Sequence, residues 1–242
     1  MTQIFAHRGY SALFAENTMS AFIAAEKANA DGLELDVQLT KDGEVVVIHD
    51  EKVDRTTSGS GFVKDYTFNE LRKLNANKKS AKIEPIPSLI QVLEWMQSNQ
   101  LVCNIELKNN LFPYEGMEEK VIQLVRNYNL MDRIILSSFN HYSIVLCYRI
   151  APEIETAPLF NERIYMPWVY AQSIRAKGIH PKLATITDDI IDGAIKNGIA
   201  VRPYTVNKDN DISRLLKINC TALITDDPVK AIKIKQQFEK RP

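Results

Sequence analysis

The chain has 242 residues, of which 45% are hydrophobic and 25% charged, and its 30 basic and 30 acidic side chains give a formal net charge of +0. These values are ordinary for a globular protein with one large domain, and they argue against a broad charged surface for nucleic acid or an anionic membrane. No apolar run approaches the ~20 residues of a membrane span, and no secretory signal pattern is present. The three cysteines include no CxxC pair, which predicts reduced thiols, no zinc site and a cytoplasmic location.

Strand-like apolar runs alternate with helical patterns along the chain, and the spacing of apolar side chains separates the two. In chain order, strands are predicted at residues 4–9, 32–39, 45–49, 101–108, 133–139, 156–160, 178–180, 200–206 and 222–225. Helices are predicted at residues 16–29, from 88, from 118, from 141, around 165–176, from 188, from 209 and from 229. The polar segment 51–87 contains glycines and prolines, and it predicts an inserted loop with one short helix near 69–74.

About eight strand–helix pairs in a chain close to the ~250 residues of a typical barrel predict a (β/α)8 TIM barrel. A doubly wound open sheet is the alternative. The barrel is favoured because charged and polar side chains stand at the carboxyl ends of predicted strands, where barrel enzymes have their active sites. These side chains are His7, Arg8, Glu34, Asp36, Glu106, Lys108, His180, Arg202 and Tyr204.

Two of the predicted strands combine an apolar face with a charged one. Side chains alternate across a strand, so Glu34 and Asp36 share one face of the second strand. In the same way, Glu106 and Lys108 share one face of the strand that follows the inserted segment. These charged faces are the first candidates for a functional site.

The three acids of these faces predict a site for a divalent cation. Carboxylate oxygens without cysteine suit Mg²⁺ or Ca²⁺, and clustered like charges disfavour ionisation unless a cation is present. The predicted ligands are Glu34, Asp36 and Glu106. In the alternative reading, a basic side chain neutralises the acids without a metal; the candidates are Arg8, Lys108 and Arg202.

His7 and His49 are candidates for a general acid and a general base. Imidazole titrates near neutrality, so a pair of histidines can take a proton on one side of a reaction and give one on the other. Each follows an apolar run and is next to a polar residue, Arg8 for His7 and Asp50 for His49. The alternative is that each histidine is a buried, structural hydrogen-bonding group. Either histidine fits either catalytic role.

Arg8 and Lys108 are candidates for binding an anion. Arginine offers a bidentate fork to phosphate, and lysine offers a point charge. The alternative is that both side chains only pair with the nearby acids. Together with a metal, they would suit a phosphodiester that contacts the cation, the guanidinium and the ammonium group.

The ordered motifs of the chain resemble one enzyme family from Phe5 to Pro228. The motifs are His7-Arg8-Gly9, Glu16-Asn17-Thr18, Glu34-Leu35-Asp36-Val37, His49-Asp50, Arg55-Thr56-Thr57, Glu106-Leu107-Lys108 and Tyr204-Thr205-Val206-Asn207. This set resembles that of the glycerophosphodiester phosphodiesterases. The resemblance implies a single (β/α)8 barrel domain over residues 1–242, with a small insertion after the second strand at about 51–87.

The resemblance also implies a role for each residue of the site. Two positions depart from the family's pattern: Ala15 stands where the family often has proline, and Tyr204 stands at the pocket where the family often has tryptophan. The implied roles are acid/base catalysis by His7 and His49, substrate binding by Arg8, Lys108 and Tyr204, and metal binding by Glu34, Asp36 and Glu106.

The implied reaction is the metal-dependent hydrolysis of a small glycerophosphodiester to sn-glycerol 3-phosphate and an alcohol, with no nucleic-acid partner and no stable membrane insertion. Two alternatives remain open. A related barrel phospholipase would act on intact or lyso-phospholipids, and it would need an apolar rim that the polar segment 51–87 does not offer. A non-catalytic phosphate-ester binding protein would be expected to lack a histidine or a carboxylate of the set, and none is missing.

Overall fold

Eight parallel strands form a nearly closed barrel in the computed structural model, which describes residues 1–78 and 83–240. The strands are β1 (Gln3–His7), β2 (Gly32–Leu39), β3 (Val45–Val47), β4 (Val102–Leu107), β5 (Ile134–Ser138), β6 (Glu155–Phe160), β7 (Gly178–Pro181), β8 (Ala200–Val201) and β9 (Ala222–Thr225). The parallel strands follow one another in the order β8, β7, β6, β5, β4, β2, β1, β9, and β3 pairs antiparallel with β2. Just after β8, the amide of Ile224 donates to the carbonyl of Pro203 (3.0 Å), and the amide of Val206 donates to the carbonyl of Ile224 (2.8 Å). These bonds join the two ends of the sheet, and the predicted (β/α)8 barrel is confirmed.

A helix follows each barrel strand, and the apolar faces of these helices cover the outside of the barrel. The helices are α1 (Met19–Lys27), α2 (Phe68–Leu71), α3 (Leu89–Met96), α4 (Met117–Asn127), α5 (His141–Ile150), α6 (Pro167–Ser173), α7 (Asp188–Lys196), α8 (Asp209–Lys217) and α9 (Pro228–Glu239). Among the α-helices of the described residues, only α2 lies outside this pattern, in the segment between β3 and α3. Within the described residues, none of the helices has both the length and the apolar character needed to cross a bilayer.

Two of the element boundaries that differ from the sequence-based expectation have a local cause in the structure. The first helix begins at Met19 rather than at residue 16, because the Thr18 hydroxyl caps it by accepting a 3.3 Å hydrogen bond from the Ala21 amide. Asn17 has a φ of 55°, which is outside the helical region. The strand predicted at 200–206 ends as β8 at Val201; Pro203, two residues on, has no amide hydrogen to donate to a ladder.

The register of the strands sets the height of the candidate site in the barrel. β2 is buried along its whole length, with Leu33 and Leu35 in the apolar core beneath the helices. Glu34 and Asp36 point the opposite way, into the barrel. Asp36 is paired with Glu106 of β4, and Glu34, one inward-facing row away, is paired with His7 of β1. Side chains distant in sequence therefore meet on adjacent rows.

The segment 51–87 is more compact than a polar loop. Its apolar side chains pack with those of β3 and the residue after it, in a cluster of Val46, Ile48, Val53, Val63, Leu71, Ala76 and Ile86. The predicted short helix near 69–74 is α2, which begins at Phe68 because Thr67 and Glu70 form a capping box. Thr57 is fully buried and donates to the carbonyl of Val53 at 2.8 Å, so the glycine-bearing stretch that follows is tied to this cluster. Residues 79–82 of the predicted insertion lie outside the described residues.

Candidate active site

Three carboxylates meet inside the mouth of the barrel. Glu34 and Asp36 come from β2 and Glu106 from β4, and one oxygen of each lies within 4.8 Å of the other two. All three side chains are buried, and Asp36 is completely inaccessible to solvent. The structure therefore brings together the three acids that the sequence selected as metal ligands.

The contacts of Asp36 leave one of its oxygens without a partner. Asn17 Nδ2 donates to Asp36 Oδ2 at 2.9 Å, and Arg8 Nε lies 3.4 Å from the same oxygen. Asp36 Oδ1 is buried and accepts no hydrogen bond from any residue in 1–78 or 83–240. A buried carboxylate oxygen without a partner is costly, and a cation would remove that cost. The Oδ1 atom of Asp36 and the carboxylates of Glu34 and Glu106 form a set of hard oxygen donors that fits Mg²⁺ or Ca²⁺.

Burial, mutual repulsion and the nearby cationic groups give the three acids different pKa values. Burial raises the pKa of Glu34 well above its ordinary value, and the charges of Asp36 and Glu106 raise it further. Burial and the charge of Asp36 also raise the pKa of Glu106, against the opposing effect of Lys108. Burial acts on Asp36 as well, but Arg8 and the other nearby cationic groups outweigh it and lower the Asp36 pKa. Without a cation, the cluster therefore does not favour ionisation of all three groups near neutral pH.

His7 is held by a carboxylate from the last strand of the barrel. Its Nδ1 lies 2.6 Å from Asp226 Oδ1, and Ser11 donates to the same oxygen at 3.2 Å. Burial opposes ionisation of Asp226, but the hydrogen bond from His7 outweighs it and lowers the pKa of this carboxyl group. The other ring nitrogen, Nε2, lies 3.8 Å from Glu34 Oε2. The free nitrogen of His7 thus faces the acid cluster.

His49 has the same arrangement on the other side of the cluster. Its Nδ1 lies 2.6 Å from Asp50 Oδ1, and its Nε2 lies 3.2 Å from Lys108 Nζ. Lys108 also donates to Glu106 Oε1 at 2.8 Å. Burial disfavours the ionised Asp50, but hydrogen bonds from Arg55 and His49 outweigh it and lower the Asp50 pKa to about 2. An ionised Asp50 accepts from the Nδ1–H of the ring, which leaves Nε2 as the acceptor for Lys108.

A left-handed turn at the end of β1 sets the position of Arg8. Arg8 and Gly9 have φ values of 55° and 79°. A Cβ on Gly9 would lie 2.7 Å from the backbone of Ala21, so only glycine fits. The turn aims the Arg8 amide at Glu34 Oε2, 2.9 Å away, while the guanidinium donates to Glu16 at 2.8 Å. Arg8 is thus anchored at both ends beside the acids.

Arg55 of the inserted segment connects the two sides of the site. Its guanidinium donates to Asp50 Oδ2 at 2.5 Å and to both oxygens of Glu16 at 2.8 Å. These hydrogen bonds raise the pKa of Arg55 above its ordinary value. Since Glu16 also holds Arg8, the insertion supports both the His49–Asp50 pair and the guanidinium.

Tyr204 lies at the edge of the mouth, beyond the cationic side chains. Its hydroxyl donates to the carbonyl of Phe160 (3.2 Å) and to Asn161 Oδ1 (3.1 Å). Its ring meets that of Phe139 edge to face, at 6.2 Å between centroids. Burial and the charge of Glu106 raise the pKa of the phenol. Tyr204 therefore offers a substrate its ring more readily than its hydroxyl.

Two other residues predicted near the site lie deeper in the barrel. His180 is fully buried, and neither ring nitrogen has a hydrogen-bond partner among the described residues. Burial and the charge of Arg202 lower its pKa well below the ordinary value. Arg202 is paired with Glu155 of β6 at 2.7 Å and does not neutralise the three acids, in contrast to the alternative drawn from the sequence. The sequence suggested that both residues lie at the barrel mouth, because each is within one or two residues of the end of its strand.

Sequence reasoning missed Asp226, the partner of His7, and it treated Arg8 as that partner. Asp226 follows the apolar run of β9, which was the one available signal. Asn17 and Glu16 were recognised only as part of a motif, without the contacts that they make. A cavity of about 420 Å³ opens beside this part of the site and is lined by His7, Arg8, Ser11, Ala12, Glu16, Asn207, Asp226, Asp227 and Lys230.

The chain is similar in sequence to known proteins over nearly its whole length. The sequence model of the "Glycerophosphoryl diester phosphodiesterase family" matches residues 7–230 of this chain. A glycerophosphodiester phosphodiesterase of Caldanaerobacter subterraneus is 43% identical over 96% of this chain and 97% of its own length. One of Bacillus altitudinis is 42% identical over 99% of this chain and 100% of its own length.

The fold is also shared with solved structures. A phosphodiesterase of Oleispira antarctica, in complex with the product sn-glycerol-3-phosphate, has a TM-score of 0.90 and 24% identity, covering 98% of this chain and 97% of that chain. At this identity the likeness supports the fold, while the relatives above support the family. The chain belongs to the glycerophosphoryl diester phosphodiesterase family, and it is a phosphodiester hydrolase.

Proposed function

We propose that this protein hydrolyses glycerophosphodiesters to sn-glycerol 3-phosphate and an alcohol, with a divalent cation and with His7 and His49 as the acid/base pair. One observation carries the proposal. Two imidazoles are each fixed by a carboxylate at 2.6 Å through Nδ1. The Nε2 of His7 faces Glu34, and the Nε2 of His49 contacts Lys108, which donates to Glu106 of the same acid cluster. Such a pair can exchange protons on two sides of one bound group.

Glu34, Asp36 and Glu106 would hold the cation. A bound Mg²⁺ or Ca²⁺ supplies Lewis-acid stabilisation of the charge that develops on phosphoryl oxygens. Support for this role comes from the unpartnered Oδ1 of Asp36 and from the crowding of three carboxylates within 4.8 Å.

Arg8 and Lys108 would bind the phosphoryl group beside the cation. Both side chains are mostly buried and each already contacts an acid of the cluster, Asp36 for Arg8 and Glu106 for Lys108. Burial disfavours the charged form of Lys108, but the charges of Glu106 and Asp36 outweigh it and raise the pKa, so the ammonium form is kept. Two fixed cations at one anion provide the electrostatic stabilisation that phosphoryl transfer needs.

We assign the general base to His49 and the general acid to His7. Lys108 donates to His49 Nε2 at 3.2 Å, so this nitrogen is placed as a hydrogen-bond acceptor, as a general base must be. His7, whose Nε2 faces the cluster 3.8 Å from Glu34 Oε2, is left as the general acid. In the reaction, His49 takes the proton of the nucleophile and His7 gives a proton to the leaving alkoxide.

Two nucleophiles are compatible with this proton transfer. Water can attack directly, or the glycerol hydroxyl next to the phosphate can attack first and form a cyclic phosphate that water opens later. Phosphorus-31 spectra of a single turnover separate the two routes, because only the second route forms the cyclic species.

The direct test is turnover of glycerophosphocholine and glycerophosphoethanolamine by the purified protein with Mg²⁺, with Ca²⁺ and with chelator. We expect sn-glycerol 3-phosphate and the free alcohol in the presence of one of the cations, and loss of turnover in chelator. Full activity in chelator, with no metal detected in the protein by elemental analysis, would contradict the cation's role. No hydrolysis with any cation would contradict the proposed function itself.

Hydrolysis of lyso-phospholipids is a second candidate, and it has one specific observation in its favour. Leu111, Tyr142 and Tyr165 are 61%, 90% and 86% exposed, in or next to the loops that follow β4, β5 and β6 at the mouth. We nevertheless propose water-soluble diesters as the preferred substrates, because the lining around His7 is polar. Faster cleavage of lyso-phospholipid or vesicle lipid than of glycerophosphodiesters would favour the second candidate.

We further propose that the chain works as a single domain. Support comes from the inserted segment, whose apolar cluster includes Val46 of β3, and whose Arg55 reaches the His49–Asp50 pair.

A further inference from the structure

A second cavity, of about 520 Å³, opens at the same end of the barrel as the acid cluster. Its walls come from the residues that follow β5, from α5, and from α6 after β6. The lining residues are Phe139, Asn140, His141, Tyr142, Val145, Tyr170 and Ile174. The catalytic roles assigned above involve none of them.

Phe139 connects this cavity to the proposed phosphate site. Lys108 Nζ lies 6.0 Å from the centroid of the Phe139 ring, and the Tyr204 ring meets the same ring edge to face. One aromatic side chain therefore separates the ammonium group that would bind phosphate from the cavity. A substituent on a phosphate bound at Lys108 can reach the cavity across this ring.

The chemistry of the cavity is neutral and aromatic. Its lining lies entirely within the described residues and includes no aspartate, glutamate, lysine or arginine. Both nitrogens of His141 are engaged: Nε2 lies 2.9 Å from the carbonyl of Leu159, and Nδ1 lies 2.7 Å from the Tyr170 hydroxyl. A donor at Nε2 leaves Nδ1 to accept from Tyr170, so these groups are satisfied within the protein. A ligand meets chiefly the faces and edges of four rings.

We propose that this cavity receives the alcohol part of the diester and that it selects an alcohol with a quaternary ammonium group, as in choline. The inference rests on the proposed function and names its preferred substrate. A trimethylammonium group has no N–H to satisfy and binds to aromatic faces, where cation–π attraction is strongest after desolvation. An ethanolamine ammonium carries three N–H donors, and the lining offers them no carboxylate. Asn140 Oδ1 already accepts from the Tyr142 amide at 3.2 Å, and the Tyr170 hydroxyl is engaged with His141. Tyr142, which is 90% exposed, stands at the edge of the cavity, where its ring can cover the bound group.

The test compares three substrates that share glycerol 3-phosphate and differ in the alcohol: choline, ethanolamine, and 3,3-dimethylbutanol, which is the uncharged isostere of choline. We expect a kcat/KM at least about fivefold higher for the choline ester than for either of the others. We expect Tyr142→Ala to lower the value for the choline ester by about 2–30-fold and to change the other two by less than about twofold. Tyr165→Ala, which removes a similarly exposed tyrosine outside the lining, is the control and should change none of them.

Two results would overturn the proposal while leaving the proposed function intact. One is an equal kcat/KM for the choline ester and its uncharged isostere; the other is an equal effect of Tyr142→Ala on all three substrates. If none of the diesters is hydrolysed, the proposed function fails, and binding of choline itself, followed by saturation-transfer NMR, then tests the cavity. Loss of the choline signal in Tyr142→Ala but not in Tyr165→Ala would support the cavity, and equal signals in both variants would refute it.

Discussion

Replacing each of the two catalytic histidines should separate their roles through the leaving group. Acid–base catalysis by one positioned group contributes ~10²–10⁴-fold. His7 and His49 are both mostly buried, and a 2.6 Å hydrogen bond to a carboxylate fixes each ring. Because this fixation orients the rings before substrate binds, we expect losses of ~10³–10⁴-fold in kcat for His7→Ala and for His49→Ala with glycerophosphoethanolamine. These losses correspond to a barrier increase of about 4–5.5 kcal/mol.

The p-nitrophenyl ester of glycerol 3-phosphate should distinguish the two variants. p-Nitrophenolate is a weak base that leaves without receiving a proton, so the general acid contributes little. If His7 is the acid, His7→Ala should lie within about tenfold of the wild-type protein on this ester, whereas His49→Ala should keep most of its loss. The nucleophile still has to give up its proton, whichever alcohol leaves.

The assay measures kcat for both substrates at saturating cation, with thermal melting to show that the variants are folded. Recovery of His49→Ala instead of His7→Ala would reverse the assignment of acid and base. Near wild-type rates for both variants on glycerophosphoethanolamine would refute the paired-histidine mechanism. In that case the rings would serve only to orient the acids and the lysine.

Three further predictions concern the groups around the histidines. At a cation concentration ~100 times its Kd, the protein should gain ~2.7 kcal/mol of stability and about 5–10 °C in Tm. Asp36→Asn should abolish this Tm shift in differential scanning fluorimetry, and an unchanged shift would remove Asp36 from the ligand set. Asp226→Asn should lower kcat ~10²-fold or more with KM within about twofold, because the carboxylate orients His7 and fixes its tautomer; a change confined to KM would contradict this role, and Ser11→Ala is the milder comparison. The Asp50 pKa is lowered from 3.8 to about 2, so its ionised form stabilises the fold above 3.8, and this contribution is lost as pH falls through about 2. Urea unfolding should show that Asp50→Asn removes ~1 kcal/mol of this pH dependence, because solvent screens the partly exposed side chain. An unchanged pH dependence would argue against the pairing of Asp50 with His49 and Arg55.

The alternation of side chains along β2 and β4 was sufficient to place the acids. A strand repeats every two residues, so the inward position of Glu34 and Asp36 follows from the order of residues alone. The His49–Asp50 pair is equally local, since its members are adjacent in sequence. The capped start of α3 at Ser88 could likewise be read from neighbouring residues.

Pairing between strands distant in sequence decided what local patterns could not. Asp226 lies 219 residues from His7, and the two meet because β9 pairs in parallel with β1. The packing of the inserted segment carries Arg55 to Glu16, 39 residues away.

Periodicity therefore determined which face of a strand each of the three acids occupies. It did not determine which residues approach from other strands, because those contacts depend on strand order, register and packing, which no single segment contains. The partner of His7, the burial of His180 and Arg202 below the mouth, and the aromatic cavity beyond Phe139 all come from the tertiary structure.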